Sequence, residues 1–147
     1  MKVYKQIILF SIIGLIMISC ATGPTYTEMA GQTPPVSSEN GRVYVYRTTT
    51  LGAALQPEVE LDGQSVGKAV PLGYFYIDCP PGNHTIATST EVDRELTFNL
   101  DKGQVRYVRL NVSMGFFVGH VYPDLIEKQE AEEEIESCHF IGVHPPQ

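Results

Sequence analysis

The sequence predicts an all-β fold: a small antiparallel β-sandwich of about seven to eight strands with one C-terminal helix. Short segments in which apolar and polar residues alternate recur at roughly ten-residue spacing from residue 42 onwards. Turns rich in glycine or proline separate them, as at Asp62-Gly63 and Pro81-Gly82. This pattern is typical of a sandwich, whereas a parallel sheet would alternate strands with helices.

The segment before the predicted domain, residues 1–19, has the pattern of a secretory signal peptide. Two lysines lie in its first five residues, and an almost wholly apolar run covers residues 7–18. That run is too short to span a membrane as a helix, which needs about 20 residues. Residues 17–20 (Met-Ile-Ser-Cys) resemble the lipobox of bacterial lipoproteins, in which the cysteine is lipidated and becomes the new N-terminus. Cleavage without lipidation and an uncleaved anchor are the alternatives.

The lipobox resemblance makes Cys20 the predicted lipidation site and the membrane the first predicted partner. Bacterial lipoproteins carry more than one acyl chain, which is enough for stable anchoring. An aspartate after the cysteine resembles an inner-membrane retention signal, and Ala21 stands there instead. The expected location is therefore the cell envelope, at the outer membrane and facing the periplasm.

Charge excludes one class of partner. Cleavage before Cys20 leaves 128 of the 147 residues, and the net charge of −7 becomes −9 once Lys2 and Lys5 leave with the signal. Nucleic-acid binding depends on clustered lysine and arginine, so it is not expected. Attraction of an acidic chain to anionic lipid is not expected either, so the lipid on Cys20 must hold the protein at the membrane.

The mature chain divides into three parts. Residues 20–41 are rich in Gly, Pro, Ser and Thr without an apolar period, which predicts a flexible tether spanning about 25 Å. Residues 42–122 form the predicted sandwich, and residues 123–147 form an acidic helix and tail. Strand patterns cover residues 42–48, 56–61, 65–70, 74–78, 83–90, 95–100, 104–112 and 116–121, and residues 139–143 form a candidate closing strand.

The helix is predicted from its start signal. Asp124 and Glu127 have the spacing of a capping box, and the helix would run to about Ser137. Its apolar stripe is narrow, so the helix should lean on the sandwich and leave a solvated acidic face. That face could instead attract a basic partner or divalent cations.

Two cysteines remain after Cys20. Outside the cytoplasm Cys79 and Cys138 can form a disulfide, which would contribute roughly 4 kcal/mol. The alternative is two separate buried thiols that behave as small apolar side chains.

The strand tyrosines are candidate ligand-binding residues. Tyr44 and Tyr46 share one strand face, and so do Tyr74 and Tyr76. An exposed strip of this kind could stack on sugar rings, whereas the alternative is that these residues simply occupy a half-buried sheet surface.

No catalytic constellation or cofactor site stands out. Residues 63–67 match the G-x-S-x-G pattern of serine hydrolases around Ser65, but that motif needs a strand followed by a helix, and here a hairpin is predicted. The four histidines lack the spacing of a metal site, so no metal is predicted.

A family resemblance is carried by three runs of residues. They are Val59-Glu60-Leu61-Asp62-Gly63-Gln64-Ser65-Val66-Gly67, Gly73-Tyr74-Phe75 and Pro80-Pro81-Gly82-Asn83-His84-Thr85-Ile86. They resemble a bacterial lipoprotein domain of unknown function that is similar to the PEGA type of small β-sandwich. The resemblance covers residues 42–112. It implies the fold, an envelope location and a structural role for His84 at a strand start, but no chemistry.

These observations predict a lipid-anchored envelope protein that is not an enzyme and acts as a binding or assembly module for an envelope protein. One alternative is a glycan- or peptidoglycan-binding module that uses the strand tyrosines. A small serine hydrolase built on Ser65 is the third hypothesis.

Overall fold

The computed structural model describes residues 20–89, 94–114 and 119–142. The predicted signal peptide, residues 1–19, lies outside these ranges, as does His144. The strands in the described ranges are β1 (Gly41–Tyr46), β2 (Glu58–Leu61), β3 (Gln64–Lys68), β4 (Gly73–Cys79), β5 (Gly82–Thr88), β6 (Arg94–Leu100), β7 (Val105–Met114), β8 (Gly119–Ile126) and β9 (His139–Phe140). The helices are α1 (Tyr26–Met29) and α2 (Lys128–Ile135).

The strands form two sheets, which confirms the predicted β-sandwich. The first sheet has the order β8-β7-β1-β4-β9 and the second has the order β3-β2-β5-β6. Apolar residues fill the space between the sheets, because alternate residues of each strand point inward. This inner core consists of Val43, Val45, Val59, Leu61, Val66, Ala69, Phe75, Ile77, Cys79, Ile86, Phe98, Leu100, Val108, Leu110 and Val121.

Strand pairing differs from the predicted antiparallel sandwich at two strand pairs and at one turn. The sheets are not wholly antiparallel, because β1 pairs in parallel with β7 and β4 pairs in parallel with β9. Asp62-Gly63 makes the predicted hairpin turn, with positive φ at both residues (53° and 79°). Pro81-Gly82 does not make a hairpin, because β4 and β5 belong to different sheets and the chain crosses between them there.

A second apolar cluster covers the outer face of the first sheet. We call it the tyrosine cluster; it consists of Tyr44, Tyr46, Tyr74, Tyr107, Ala131, Ile135 and Cys138, with Tyr26, Met29, Tyr76, Val105, Ile126 and Phe140 partly buried around it. It exists because the alternate, outward side chains of β1 and β4 are tyrosines. Helix α2 covers this face, so the first sheet is packed on both sides.

The segment predicted as a flexible tether, residues 20–41, is packed on the domain. Helix α1 begins with a complete capping box between Thr25 and Glu28. The Phe140 amide donates to the Pro24 carbonyl (2.8 Å), and Thr25 forms an isolated β-bridge with His139. Composition indicated a loop but could not reveal these contacts, which come from a strand more than 100 residues later.

The predicted capping box at Asp124 and Glu127 is wrong. Residues up to Ile126 belong to β8, which pairs with β7 as far as Tyr107. Asp124 therefore lies on a strand and accepts a hydrogen bond from Asn111 (2.7 Å), and Glu127 is the N-cap without a side-chain capping bond. In the described ranges no helix has the length and apolar character needed to cross a membrane.

Candidate functional site

The candidate tyrosine strip is not an open platform. Tyr44, Tyr46 and Tyr74 are 8%, 1% and 1% exposed, and Tyr76 is only partly buried. Their rings pack on one another, with Tyr44 stacked on Tyr107 at 5.3 Å. Alternation along the strands predicted correctly that they share a face, but it could not show that a helix and the N-terminal segment cover that face.

Helix α2 is held on the tyrosine cluster by polar contacts that sequence analysis missed. The Tyr46 hydroxyl donates to Glu134 (2.7 Å), and the Tyr107 hydroxyl donates to Glu132 (3.1 Å). Burial, and then the neighbouring Glu134 carboxylate, raise the pKa of Tyr46. Arg109 on β7 pairs with Glu134 (2.5 Å) and with Glu130 (3.0 Å). Part of the acidic run therefore faces the sheet.

The carboxylates that do not contact the sheet form an exposed acidic face. It consists of Glu133 on α2 and the two residues that flank the helix, Glu127 and Glu136, with Lys128 beside them, 3.7 Å from Glu132. This face is flanked by the sheet on one side and lies open on the other. Its chemistry suits a basic protein surface.

Arg42 makes polar contacts at the edge of the tyrosine cluster next to Tyr76. Its guanidinium makes two hydrogen bonds to the Asp78 carboxylate (2.6 and 2.7 Å) and one to the Pro34 carbonyl (2.8 Å). It also lies 4.2 Å above the Tyr76 ring. The Asp78 hydrogen bonds raise the pKa of Arg42. Although Arg42 is 3% exposed, its charge is neutralised, so it serves the structure rather than a ligand.

A cleft of about 310 Å³ opens between β3 and β4 at the sandwich end where β1 begins. His84 on β5 lies in it, with Nδ1 2.6 Å from Asp62 Oδ2 and Nε2 2.7 Å from the Pro80 carbonyl oxygen. Burial lowers the pKa of His84, but the hydrogen bonds to Asp62 and Pro80 outweigh it and leave that pKa raised. His84 thus joins the Asp-Gly turn to the Pro-Pro-Gly crossover, in the structural role that the resemblance implied.

Among the described residues, no histidine is placed to act as a base for Ser65. This serine lies exposed on β3, opposite Glu60, within a hairpin rather than at a strand-to-helix turn. Both ring nitrogens of His84 are already occupied by Asp62 and Pro80. The G-x-S-x-G match is therefore a turn and strand pattern, as expected.

The disulfide left open by the sequence is not formed. Cys79 and Cys138 are free and buried in different clusters, Cys79 between the sheets and Cys138 in the tyrosine cluster. The first sheet separates them, so no bridge can join them without rearranging the core. Burial raises the pKa of each thiol to about 11, which makes both unreactive at neutral pH.

Arg47 is a buried cation that sequence analysis missed. It is 0% exposed, and its guanidinium donates to four backbone carbonyls, those of Leu51, Gly52, Leu55 and Ala69. Burial lowers the pKa of Arg47. An arginine that directly follows a strand of β-branched and aromatic residues was the available signal. Its contacts tie the loop after β1 to the turn before β4.

Cys20 lies partly exposed at this same end of the sandwich. The amide of Ala21 donates to the Pro71 carbonyl (3.2 Å), and the His139 Nδ1 atom lies 2.7 Å from the Gly23 carbonyl oxygen. The residue predicted to carry lipid is thus placed by the fold, next to the turn between β3 and β4.

Comparison with known proteins identifies the family. The family model described as "Protein of unknown function (DUF2846)" matches residues 37–121, which is more than half of the chain. A Haemophilus influenzae protein described as "Uncharacterized protein" is 27% identical over 141 residues, covering 91% of this chain and 84% of that protein. No solved structure matches the chain significantly. The chain belongs to the DUF2846 family.

Proposed function

We propose that this DUF2846 protein is a lipid-anchored protein of the cell envelope that acts as a non-enzymatic binding or assembly module. Its lipid would be carried by Cys20, and the outer membrane facing the periplasm is the location that Ala21 favours. The fold supports the further proposal that the domain is related to the PEGA-like sandwiches of bacterial lipoproteins.

The observation that carries the proposal is the position of Cys20. The lipobox-like residues 17–20 make Cys20 the first residue of the mature chain, and the next residue, Ala21, is docked on the domain because its amide donates a hydrogen bond to the Pro71 carbonyl. Cleavage before Cys20 leaves that hydrogen bond in place.

The polar groups of the described residues support binding rather than catalysis. His84 uses both ring nitrogens within the fold, Ser65 has no histidine partner, and the strand tyrosines are covered. The large exposed polar feature that the fold presents is the acidic outer face of α2. We infer that this face docks a basic surface of another envelope protein, because a neutral glycan would offer no positive charge to pair with its carboxylates.

The anchor is tested by mass spectrometry of the N-terminal peptide from cells. Acylated Cys20 as the first residue is the expected result, and Cys20→Ala should abolish it. Because Cys79 and Cys138 are buried, the native unlipidated protein would expose Cys20 as its reactive thiol. A peptide that begins elsewhere, or a Cys20 that reacts with an alkylating agent, would refute the anchor.

The partner is tested by crosslinking in intact cells followed by mass spectrometry. A photocrosslinker placed at Glu133 should capture discrete envelope proteins, and the single variants Glu127→Gln and Glu136→Gln should each weaken that capture. Glu95→Gln on β6 is the matched control, because it removes the same charge from an exposed site on the other sheet. Capture of only cell-wall fragments, or no dependence on the α2 charges, would count against the proposal.

A further inference from the structure

We propose that the end of the sandwich that carries Cys20 lies against a phospholipid bilayer and touches it through Leu51 and Met114. This inference rests on the lipid anchor proposed above and goes beyond it, because it fixes which surface of the domain faces the membrane. We call this surface the anchor end and define it by Cys20, Leu51, Pro71 and Met114.

Because the N-terminal segment is docked, no flexible linker separates the lipid on Cys20 from the domain. Ala21, one residue after Cys20, is hydrogen-bonded to Pro71, and the Phe140 amide holds Pro24. A free tether of residues 20–41 would let the domain tumble at about 25 Å from the membrane. With the segment docked, acyl chains on Cys20 leave the protein beside Pro71, so the bilayer that holds them must lie against the anchor end.

A continuous series of contacts joins Cys20 to the two apolar residues. Arg47 connects the turn after β3 to the loop after β1, since its guanidinium donates to both Ala69 and Leu51. That loop lies next to β7, because a Cβ atom added to Gly52 would be 3.4 Å from the Val112 side chain. The parallel pairing of β1 with β7 brings Met114, the last residue of β7, to this same end.

The anchor end carries the two most exposed large apolar side chains of the described residues. Leu51 and Met114 are 52% and 64% exposed, and Leu125, at 38%, follows them. The strand ends of the second sheet add Glu58, Lys68 and Arg94, so both signs of charge are present there. Contact with lipid would therefore depend on apolar insertion rather than on charge attraction.

Site-specific labels test this orientation. Leu51→Cys, Met114→Cys and Lys102→Cys would each be expressed in the full chain, purified, and reconstituted in vesicles of phosphatidylethanolamine and phosphatidylglycerol. An environment-sensitive thiol probe would label only the new cysteine in the acylated protein, because Cys79 and Cys138 are buried and the sulfur of an acylated Cys20 is blocked. Lys102 is the control, since it lies in the turn between β6 and β7 at the opposite end.

At positions 51 and 114 the fluorescence emission of the probe should shift to the blue on binding to vesicles, and a water-soluble quencher should no longer quench it. At position 102 neither change is expected. Mass spectrometry of the same samples reports acylation of Cys20. Acylated protein with all three probes in water, or with the probe at 102 in lipid, would overturn the orientation and leave the anchor intact. Unacylated Cys20 would overturn the anchor, and this inference with it.

A pair of glycine variants tests the role of the docked segment. A Cβ on Gly23 would lie 1.9 Å from the Phe140 carbonyl oxygen, so Gly23→Ala should detach the segment from β9. Gly31→Ala is the matched control, because its Cβ would meet no atom within 4 Å. Probes at 51 and 114 should lose lipid contact in the acylated Gly23→Ala protein and keep it in Gly31→Ala. Equal lipid contact in both would refute the orienting role of the segment.

Discussion

His84 shows how one residue links two turns through its protonation state. Both groups that face its ring nitrogens, the Asp62 carboxylate and the Pro80 carbonyl, are acceptors. Only the doubly protonated imidazolium can donate to both at once. The raised pKa of His84 agrees with this geometry and makes the pair sensitive to pH.

The first prediction follows from that linkage. Because the folded pKa of His84 lies above its unfolded value of 6.5, its contribution to stability is complete below that value and is lost as pH rises through the folded pKa. We expect unfolding free energy to fall by about 1 kcal/mol over that rise, since Asp62 is half exposed. Urea titrations of wild type and His84→Gln at several pH values measure it. A wild-type profile as flat as that of the variant would contradict the argument.

The second prediction concerns the buried cation of Arg47. Arg47→Met would leave the carbonyls of Leu51, Leu55 and Ala69 without their donor, whereas the Gly52 carbonyl keeps the Leu55 amide, and we expect a loss of about 3 kcal/mol of unfolding free energy. The control is Arg106→Met on β7, where the side chain makes one long bond to the Asn99 carbonyl (3.3 Å). Thermal unfolding compares the two. Similar small effects would show that the carbonyls find other partners.

At the scale of elements, alternation predicted the strands and the residues that share a face, but not what covers each face. Each of the nine segments with a strand pattern contains or overlaps a strand of the structure. The period of two cannot tell which element covers the outward face, so the burial of Tyr44 and Tyr74 was left open. It also cannot give pairing between distant segments, which is why the parallel pair of β1 and β7 was missed.

The start of the helix was missed for a related reason. A capping-box pattern depends only on neighbouring residues. Strand β8 nevertheless continues to Ile126, because every residue of β8 pairs with a residue of β7. Pro123 is tolerated in β8 because that strand is at the edge of the first sheet. Tertiary pairing thus overrides a helix signal of four residues.

The third prediction separates the two ways in which α2 is held. Ile135 is 0% exposed, so Ile135→Ala should cost about 3 kcal/mol of unfolding free energy. Arg109→Met removes partly exposed ion pairs and should cost about 1 kcal/mol, with a smaller effect at high salt. Glu133→Ala on the exposed face is the control. Urea unfolding at low and high salt measures all three, and a larger loss for Arg109→Met would reverse this ranking.

At the scale of the whole molecule, the N-terminal segment and β9 pack together at the edge of the first sheet next to β4. Strand β9 pairs with β4, and the segment around Pro24 pairs in turn with β9. The tyrosine cluster is complete only when both are in place, because Tyr26 and Phe140 each pack against Tyr74. A chain lacking either end would expose this cluster, so the N-terminal segment should behave as part of the cooperative unit.

The last prediction tests this closure in solution. The ring of Tyr26 lies edge-on to Tyr44 and Tyr74, with centroids 5.7 and 5.5 Å apart. Tyr26→Ala should therefore cost about 2 kcal/mol of unfolding free energy, although composition alone predicted a flexible tether there. Gln32→Ala, an exposed change in the same segment, should cost almost nothing. If urea unfolding finds the two variants equal to wild type, the segment is free in solution, and the fixed placement of Cys20 against the domain is lost with it.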